Sequence, residues 1–434
     1  MKSGPLRIAY LTAGAAGMYC GSCMHDNTLA AALTRLGVDI QLIPVYTPIR
    51  TDETDVSIDR VFLGGINVYL QQKFRLFRYL PALLDRVLNQ PWLLRWVTSQ
   101  ATDISLDELG ALTVSMLQGL HGFQRKEVRQ LCHWLATSVR PDVVVLTNVL
   151  IGGCIPELKR ALHVPVLVTL QGDDIFLESL PAPHKSRAIA EIRRLTADVD
   201  GFLVHSQYYA DFMVDYLGIA PEKLQLVLLG IDTSDFPATA GAAWDAPPTV
   251  GYLARLAPEK GLHVLVEAFQ QLRTLPGTEH AQLRIAGWLS PSQRDYAEAQ
   301  WTKLRAAGLA DAFQYAGSVD RAGKLKFLQQ VHVLSVPTTY PDPKGLFVLE
   351  ALAAGVPVVQ PAHGAFPELL AATGGGRLTT PDDPQTLAQA LHALLTDDQQ
   401  RRQLGETGRR AVHERFHAAA MARATLEVFQ RYAV

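Results

Sequence analysis

The sequence predicts an α/β protein of two doubly wound domains, each a parallel sheet covered by helices on both faces. Three observations carry that expectation. Strand-like and helix-like segments alternate in two successive series. A Pro/Ala/Gly-rich connector, PATAGAAWDAPP, separates the series between Phe236 and Pro248. The chain has 434 residues, too many for one ordinary core.

The first domain is expected over residues 1–236. Its strand candidates are LRIAYLT from Leu6, DIQLIPVY from Asp39, DVVVLTN from Asp142, PVLVTLQG from Pro165, GFLVHS from Gly201 and LQLVLLG from Leu224. These near-continuous Val/Ile/Leu runs suit a sheet buried on both faces. The helix pattern NTLAAALTRLG stops at Gly37, a usual helix-terminating residue. From about Thr51 to Lys126 the alternation breaks into a helical insertion. It carries Lys73, Arg75, Arg78, Arg86 and Arg95 beside Trp92 and Trp96. Such a basic amphipathic stretch suits an anionic membrane surface, but we read it as packing its aromatics inward. The second domain is expected over 247–413, with strands at TVGYLAR from Thr249, AQLRIAG from Ala281, FQYAG from Phe313, VHVLSVP from Val331 and PVVQP from Pro357.

Composition excludes several function classes. Hydrophobic residues make up 48% and charged residues 19%, as in a globular, well-buried protein. A formal net charge of −2 gives no basic field for nucleic acid. No run of ~20 apolar residues reads as a transmembrane helix, and MKSGPLRIAYLTAG enters a strand pattern without signal-peptide features. The four cysteines, Cys20, Cys23, Cys132 and Cys154, suit a reducing cytoplasm. Cys20 and Cys23 form a lone C-x-x-C, read as small residues packing where a loop enters a helix rather than as a zinc or redox pair.

The most informative run is YPDPKGLFVLEALAAGVPVVQP, Tyr340 to Pro361. It reads as a polar loop, a glycine, a short apolar helix, a second glycine and a buried strand. A helix starting near Gly345 and Leu346, with Lys344 just before it, offers free first-turn N–H groups to an anion. Asp342 precedes this cradle and Glu350 follows it by just over a turn, which suits a nucleotide-sugar: carboxylates for hydroxyls, N–H groups for a diphosphate.

The run resembles the donor-binding signature of retaining GT-B glycosyltransferases, in particular glycosyltransferase family 4. That signature has two glutamates separated by seven residues, the second in a segment ending E-A-x-A-x-G-x-P-V-V. Asp342, Gly345, Leu346, Glu350, Ala351, Ala353, Gly355, Pro357, Val358 and Val359 match it, with Asp342 standing where the family has Glu. The family pattern G-x-x-x-R-x-x-x-x-K-G matches Gly251, Arg255, Lys260 and Gly261. Two cations after a strand are placed to neutralise a departing diphosphate.

Other segments agree. AGAAGMYCGSC, with Gly14 and Gly17, resembles the family's glycine-rich loop facing the donor phosphates; Asp26 or Asn27 is read as the cap of the helix that follows. TLQGDD places Gln171 and Asp173 after a buried strand. Family members often have His at the position of Gln171, contacting the transferred sugar, and Gln exchanges no proton near neutral pH. Asp173 is open to two readings, orienting an acceptor hydroxyl or closing a turn. Gly287 resembles the glycine that ends a family strand, and YAGSV up to Val319 the segment whose backbone reads the nucleobase.

The resemblance implies a GT-B fold of two facing Rossmann-like domains, with the C-terminal helix, 414–434, packing back on the first. It also implies transfer of a sugar from a nucleoside diphosphate donor to an acceptor hydroxyl, with retention and without metal or other cofactor. Arg255, Lys260 and the helix start would hold the diphosphate, Asp342 the donor sugar and Glu350 the ribose. The acceptor, whether glycan, lipid or small molecule, is not specified. The rival readings are a degenerate nucleotide-sugar-binding protein, or a phosphorylase or sugar-nucleotide epimerase on the same scaffold.

Overall fold

The computed structural model describes residues 4–14, 20–64, 68, 71–72, 105–236 and 247–433. The chain divides into two compact units, one of residues 1–228 with 419–434 and one of residues 229–418.

Among the described residues the first unit holds six strands: β1 (Arg7–Thr12), β2 (Asp39–Pro44), β3 (Val143–Leu146), β4 (Val166–Thr169), β5 (Gly201–Val204) and β6 (Leu224–Leu226). All pair in parallel, in the order β2-β1-β3-β4-β5-β6. Its helices are α1 (Gly21–Arg35), α2 (Leu106–Leu117), α3 (Arg125–Trp134), α4 (Ile155–Leu162), α5 (Asp173–Glu178), α6 (Ala182–Leu195) and α7 (Gln207–Leu217). The β3, β4 and β5 side chains are buried throughout, which only a sheet covered on both faces allows. Of the insertion expected over 51–126, the described part beyond residue 104 forms α2, a short 3₁₀ turn and the start of α3. Its basic residues 73–95 and both tryptophans lie outside the described residues.

The second unit holds β7 (Thr249–Leu253), β8 (Gln282–Ala286), β9 (Phe313–Tyr315), β10 (Val333–Leu334), β11 (Val358–Pro361) and β12 (Gly376–Thr379). These are again all parallel, in the order β12-β11-β10-β7-β8-β9. Its helices are α8 (Leu262–Leu272), α9 (Arg294–Ala306), α10 (Arg321–Leu328), α11 (Leu346–Ala353), α12 (Phe366–Thr373), α13 (Pro384–Thr396) and α14 (Asp398–Arg415). The last helix, α15 (Ala418–Tyr432), lies almost wholly in the first unit. There Tyr432 packs so closely on Gly201 of β5 that a Cβ at 201 would strike its hydroxyl, and Arg431 donates to Gln225 Oε1 at 2.9 Å.

Each sheet reverses its winding once, between β1 and β3 in the first and between β7 and β10 in the second. Such a switch point splays successive connections to opposite faces and leaves a crevice at the strand carboxyl ends, where ligands of doubly wound folds bind. The segments 255–261 and 340–345 follow β7 and β10, the strands that flank the second switch point. Among the described residues no helix is long and apolar enough to cross a membrane.

Candidate active site

In the second unit, the segment after β7 carries Arg255 and Lys260 and that after β10 carries Tyr340, Asp342 and Lys344. Both flank the switch point. Gly261 bends the first segment into α8 with φ 71°, and a Cβ there would collide with the Pro337 carbonyl, so only glycine lets the two segments approach this closely. Thr339 N–H donates to the Glu259 carbonyl at 3.0 Å and holds them together.

Partly buried Lys260 and buried Asp342 form one cluster. Lys260 Nζ stands 2.8 Å from Asp342 Oδ2 and donates to Tyr340 Oη at 2.5 Å, while Tyr340 donates to the same Oδ2 at 2.9 Å. The other oxygen, Oδ1, accepts the N–H groups of Lys344 at 3.0 Å and Gly345 at 2.9 Å. A carboxylate has about four acceptor positions, and these four donors take them. Burial alone would raise the Asp342 pKa; the Lys260 ammonium and the two N–H groups reverse that and hold it well below the usual carboxylate range. Arg255 stands apart from the cluster, half exposed and paired with Glu259 at 2.5 Å.

Gly345 is the N-cap of α11, with φ 68°, as the sequence predicts for the start of this helix. The N-cap glycine has no side chain to cap the helix; Val348 N–H turns back to the Gly345 carbonyl at 2.9 Å, so the first two N–H groups, of Leu346 and Phe347, are the ones offered to a ligand. Glu350, five residues into α11, is buried and pairs with Lys324 of α10 at 2.6 Å. Gly287 follows β8; its N–H donates to Gly317 O and its carbonyl accepts from Tyr315 Oη at 2.8 Å, which ties the ends of β8 and β9 together. Val319 leads from there into α10, through Asp320 as its N-cap.

In the first unit, Gln171 and Asp173 are both buried, and their side chains face inward partners. Asp173 accepts from Val149 N–H at 2.8 Å and Gln171 N–H at 3.0 Å, bracing the ends of β3 and β4. Burial pushes its pKa up to about 6 against those two N–H groups. Gln171 Nε2 donates to Asp26 Oδ1 at 3.0 Å and to the Thr147 carbonyl at 3.1 Å.

The expected cap at Asp26 or Asn27 is corrected by the structure. The helix begins at Gly21, so both lie inside it. Asp26 is fully buried and accepts from Tyr10, Thr12, Thr147, Gln171 and the His25 ring. Since a carboxylate only accepts, His25 Nδ1 carries its proton toward Asp26. Burial would raise the Asp26 pKa, but these donors bring it below the ordinary value. Asn27 instead anchors a loop, donating to Thr54 O and accepting from Val56 N–H, both at 2.9 Å. Gly17 lies outside the described residues. Lys324, Tyr340 and the Asp26 network were not singled out from the sequence, because their partners lie on other elements.

Among the described residues no group of His, Cys, Asp or Glu has the geometry to hold a metal ion.

The comparisons with known proteins agree with this architecture. The family model "Glycosyl transferases group 1" matches residues 241–411, and "Glycosyltransferase Family 4" matches 112–235. Together they match more than half of the chain. A glycogen synthase of Mycobacterium tuberculosis is 28% identical over 295 residues, 67% of this chain and 69% of that protein. The crystal structure of Anabaena HepE in complex with UDP aligns with a TM-score of 0.68 at 17% identity, covering 98% of this chain and all of that one. Sucrose-phosphate synthase of Thermosynechococcus elongatus aligns with a TM-score of 0.70 at 19% identity, over 98% of both chains.

Proposed function

The chain belongs to the family 4 type of glycosyltransferase with the GT-B fold, and from that premise we propose that it moves a sugar from a nucleoside diphosphate donor to an acceptor hydroxyl, with retention and without a metal. The observation that carries the donor class is the switch-point cluster of the second unit: a helix start with no side-chain cap, the partly buried Lys260 beside it, and Arg255 just past the end of the neighbouring strand. The UDP bound to the Anabaena structure supports the same donor class.

The chemistry follows from charge. As the glycosidic C–O bond breaks, negative charge grows on the diphosphate oxygen. Preoriented cations and N–H groups stabilise that charge more than the ground state, which lowers the barrier. Lys260, Arg255 and the N–H groups of Leu346 and Phe347 at the start of α11 supply them in this proposal. The leaving phosphate, on the same face as the acceptor, takes the acceptor proton, which preserves the anomeric configuration. Asp342 fixes Lys260 and the N-cap of α11, and reaches a donor-sugar hydroxyl by exchanging one of its four partners. Glu350 accepts from the ribose, and the backbone of the 315–319 segment, tied to Gly287, meets the base. In the first unit, Gln171 and Asp173 act on the acceptor side as positioning residues, through the segments they brace. The acceptor is a hydroxyl compound of unassigned class, and the cysteine usage favours a cytoplasmic setting.

The test is calorimetry with UDP, GDP and ADP on the full chain, then mass spectrometry of acceptor mixtures incubated with the matching nucleotide-sugar. Arg255→Ala and Lys260→Ala should each weaken diphosphate binding and raise the barrier by about 2–4 kcal/mol. Arg255→Ala is the cleaner probe, because Lys260→Ala also strips Asp342 of its cation. Undiminished affinity in both variants sinks the donor-site assignment. Turnover abolished by a chelator, or a product of inverted anomeric coupling in NMR, sinks the mechanism.

A further inference from the structure

We propose that Lys324 is a specificity-determining positioning residue of the donor site: it holds Glu350 in place to accept the vicinal hydroxyls of a ribose, so that the protein selects ribonucleoside over dideoxyribonucleoside diphosphates. The inference rests on the donor-site reading above and adds a residue to it.

The geometry is specific. Lys324 Nζ lies 2.6 Å from Glu350 Oε1, and each side chain is 8% exposed. Among the described residues, no other side chain is seen bonded to the Glu350 carboxylate. Isolated charges in so dry a place are costly; a carboxylate without its cation takes up a proton or turns toward water. Either change removes acceptor capacity from the helix face where Glu350 sits, one turn past Leu346. With Lys324 in place, one position on Oε1 is taken. Those that remain match the two O–H donors of a vicinal diol.

The placement of α10 makes Lys324 a fixed support. Asp320 caps the helix, its Oδ1 accepting from Gly323 N–H and its carbonyl from Lys324 N–H, both at 2.8 Å. Arg321, in the first turn, forks onto Asp235 at 2.5 and 2.8 Å and reaches the Asp232 carbonyl at 2.6 Å. The helix is thus pinned at its start, directly after the 315–319 segment read as facing the base. A cation on a pinned helix, gripping a carboxylate on the helix that cradles the diphosphate, couples the three parts of a nucleotide site: base segment, ribose acceptor and phosphate end.

A merely structural ion pair and a ribose-orienting one predict different results. The experiment is calorimetry on the full chain with uridine diphosphate and its 2′,3′-dideoxy analogue. The wild type should prefer the ribonucleotide by about tenfold or more, the scale of a lost hydrogen bond to a charged group. In Lys324→Met, affinity for the ribonucleotide should fall by about tenfold while that for the dideoxy analogue stays, so the preference collapses; Lys324→Arg should restore part of it. Lys324→Gln, which keeps an amide donor, carries the same comparison if the Met variant does not fold. Equal weakening of both nucleotides with the preference intact overturns the proposal. A wild type that binds the diphosphate without telling the two apart overturns it too, and leaves the donor site standing. A wild type that binds neither UDP, GDP nor ADP removes the donor site itself.

Discussion

At the scale of single residues, buried carboxylates carry the sharpest consequences. Asp173 titrates near pH 6 in the fold against an ordinary value of 3.8. The folded chain therefore holds this proton more tightly than the unfolded one. Its contribution is full below about pH 4 and is lost as pH rises through 6, by about 3 kcal/mol in all. The stability of the wild type relative to Asp173→Asn should thus fall as pH climbs from 4 to 7, read by thermal unfolding, and parallel curves would exclude the assignment. Asp26 has the opposite sign: its depressed pKa favours the fold above pH 4 and ceases to do so in acid. These networks were the least legible part of the sequence. The partners of Asp26 come from residues 10, 12, 25, 147 and 171, and nothing in local spacing links them. The Lys324–Glu350 pair spans 26 positions and two helices, and is hidden for the same reason. Asp342, Gly345 and Glu350 were visible because the chemistry there is written within one loop and helix.

At the scale of elements, the two segments flanking β7 and β10 depend on glycines for their approach. Gly261 has φ 71° and lies against the Pro337 carbonyl; Gly364 has φ 60° and lies against the Asp342 backbone. Gly261→Ala must both adopt a left-handed conformation and push the Arg255–Lys260 segment off the strand end. It should cost about 2 kcal/mol or more, since a strained φ alone costs of order 1–3, and it should weaken diphosphate binding along with stability. A variant of native stability and native affinity would show that the close approach is not required. The long apolar runs at β1, β3, β4 and β5 announced themselves, because strands buried on both faces need them. Boundaries were less legible. The expected strand from Val331 contracts to Val333–Leu334, and α1 starts at Gly21, well before the expected NTLAAAL pattern, because its first turns carry polar residues turned into the Asp26 network.

At the scale of the whole molecule, the chain makes two units of similar plan and closes the first with its own last helix. Of the apolar side chains of α15, Met421, Ala422, Val428 and Phe429 are buried, and Tyr432 seals the start of β5. Each such side chain contributes about 1.5–3 kcal/mol by burial when large. Truncation after His417 therefore removes a part of the first unit's core while leaving β7 to β12 and the donor cluster intact. Calorimetric scanning of the truncated chain should show the transition of the first unit lowered or lost, and that of the second retained. Diphosphate binding, which the proposal assigns to residues of 255–350, should persist at the affinity of the full chain. If instead the second unit's transition falls by as much as the first, the two units do not unfold as separate bodies. If diphosphate binding vanishes while the second unit stays folded, residues of the first unit or of α15 are part of the phosphate site, and the assignment to the β7–β10 switch point is too narrow.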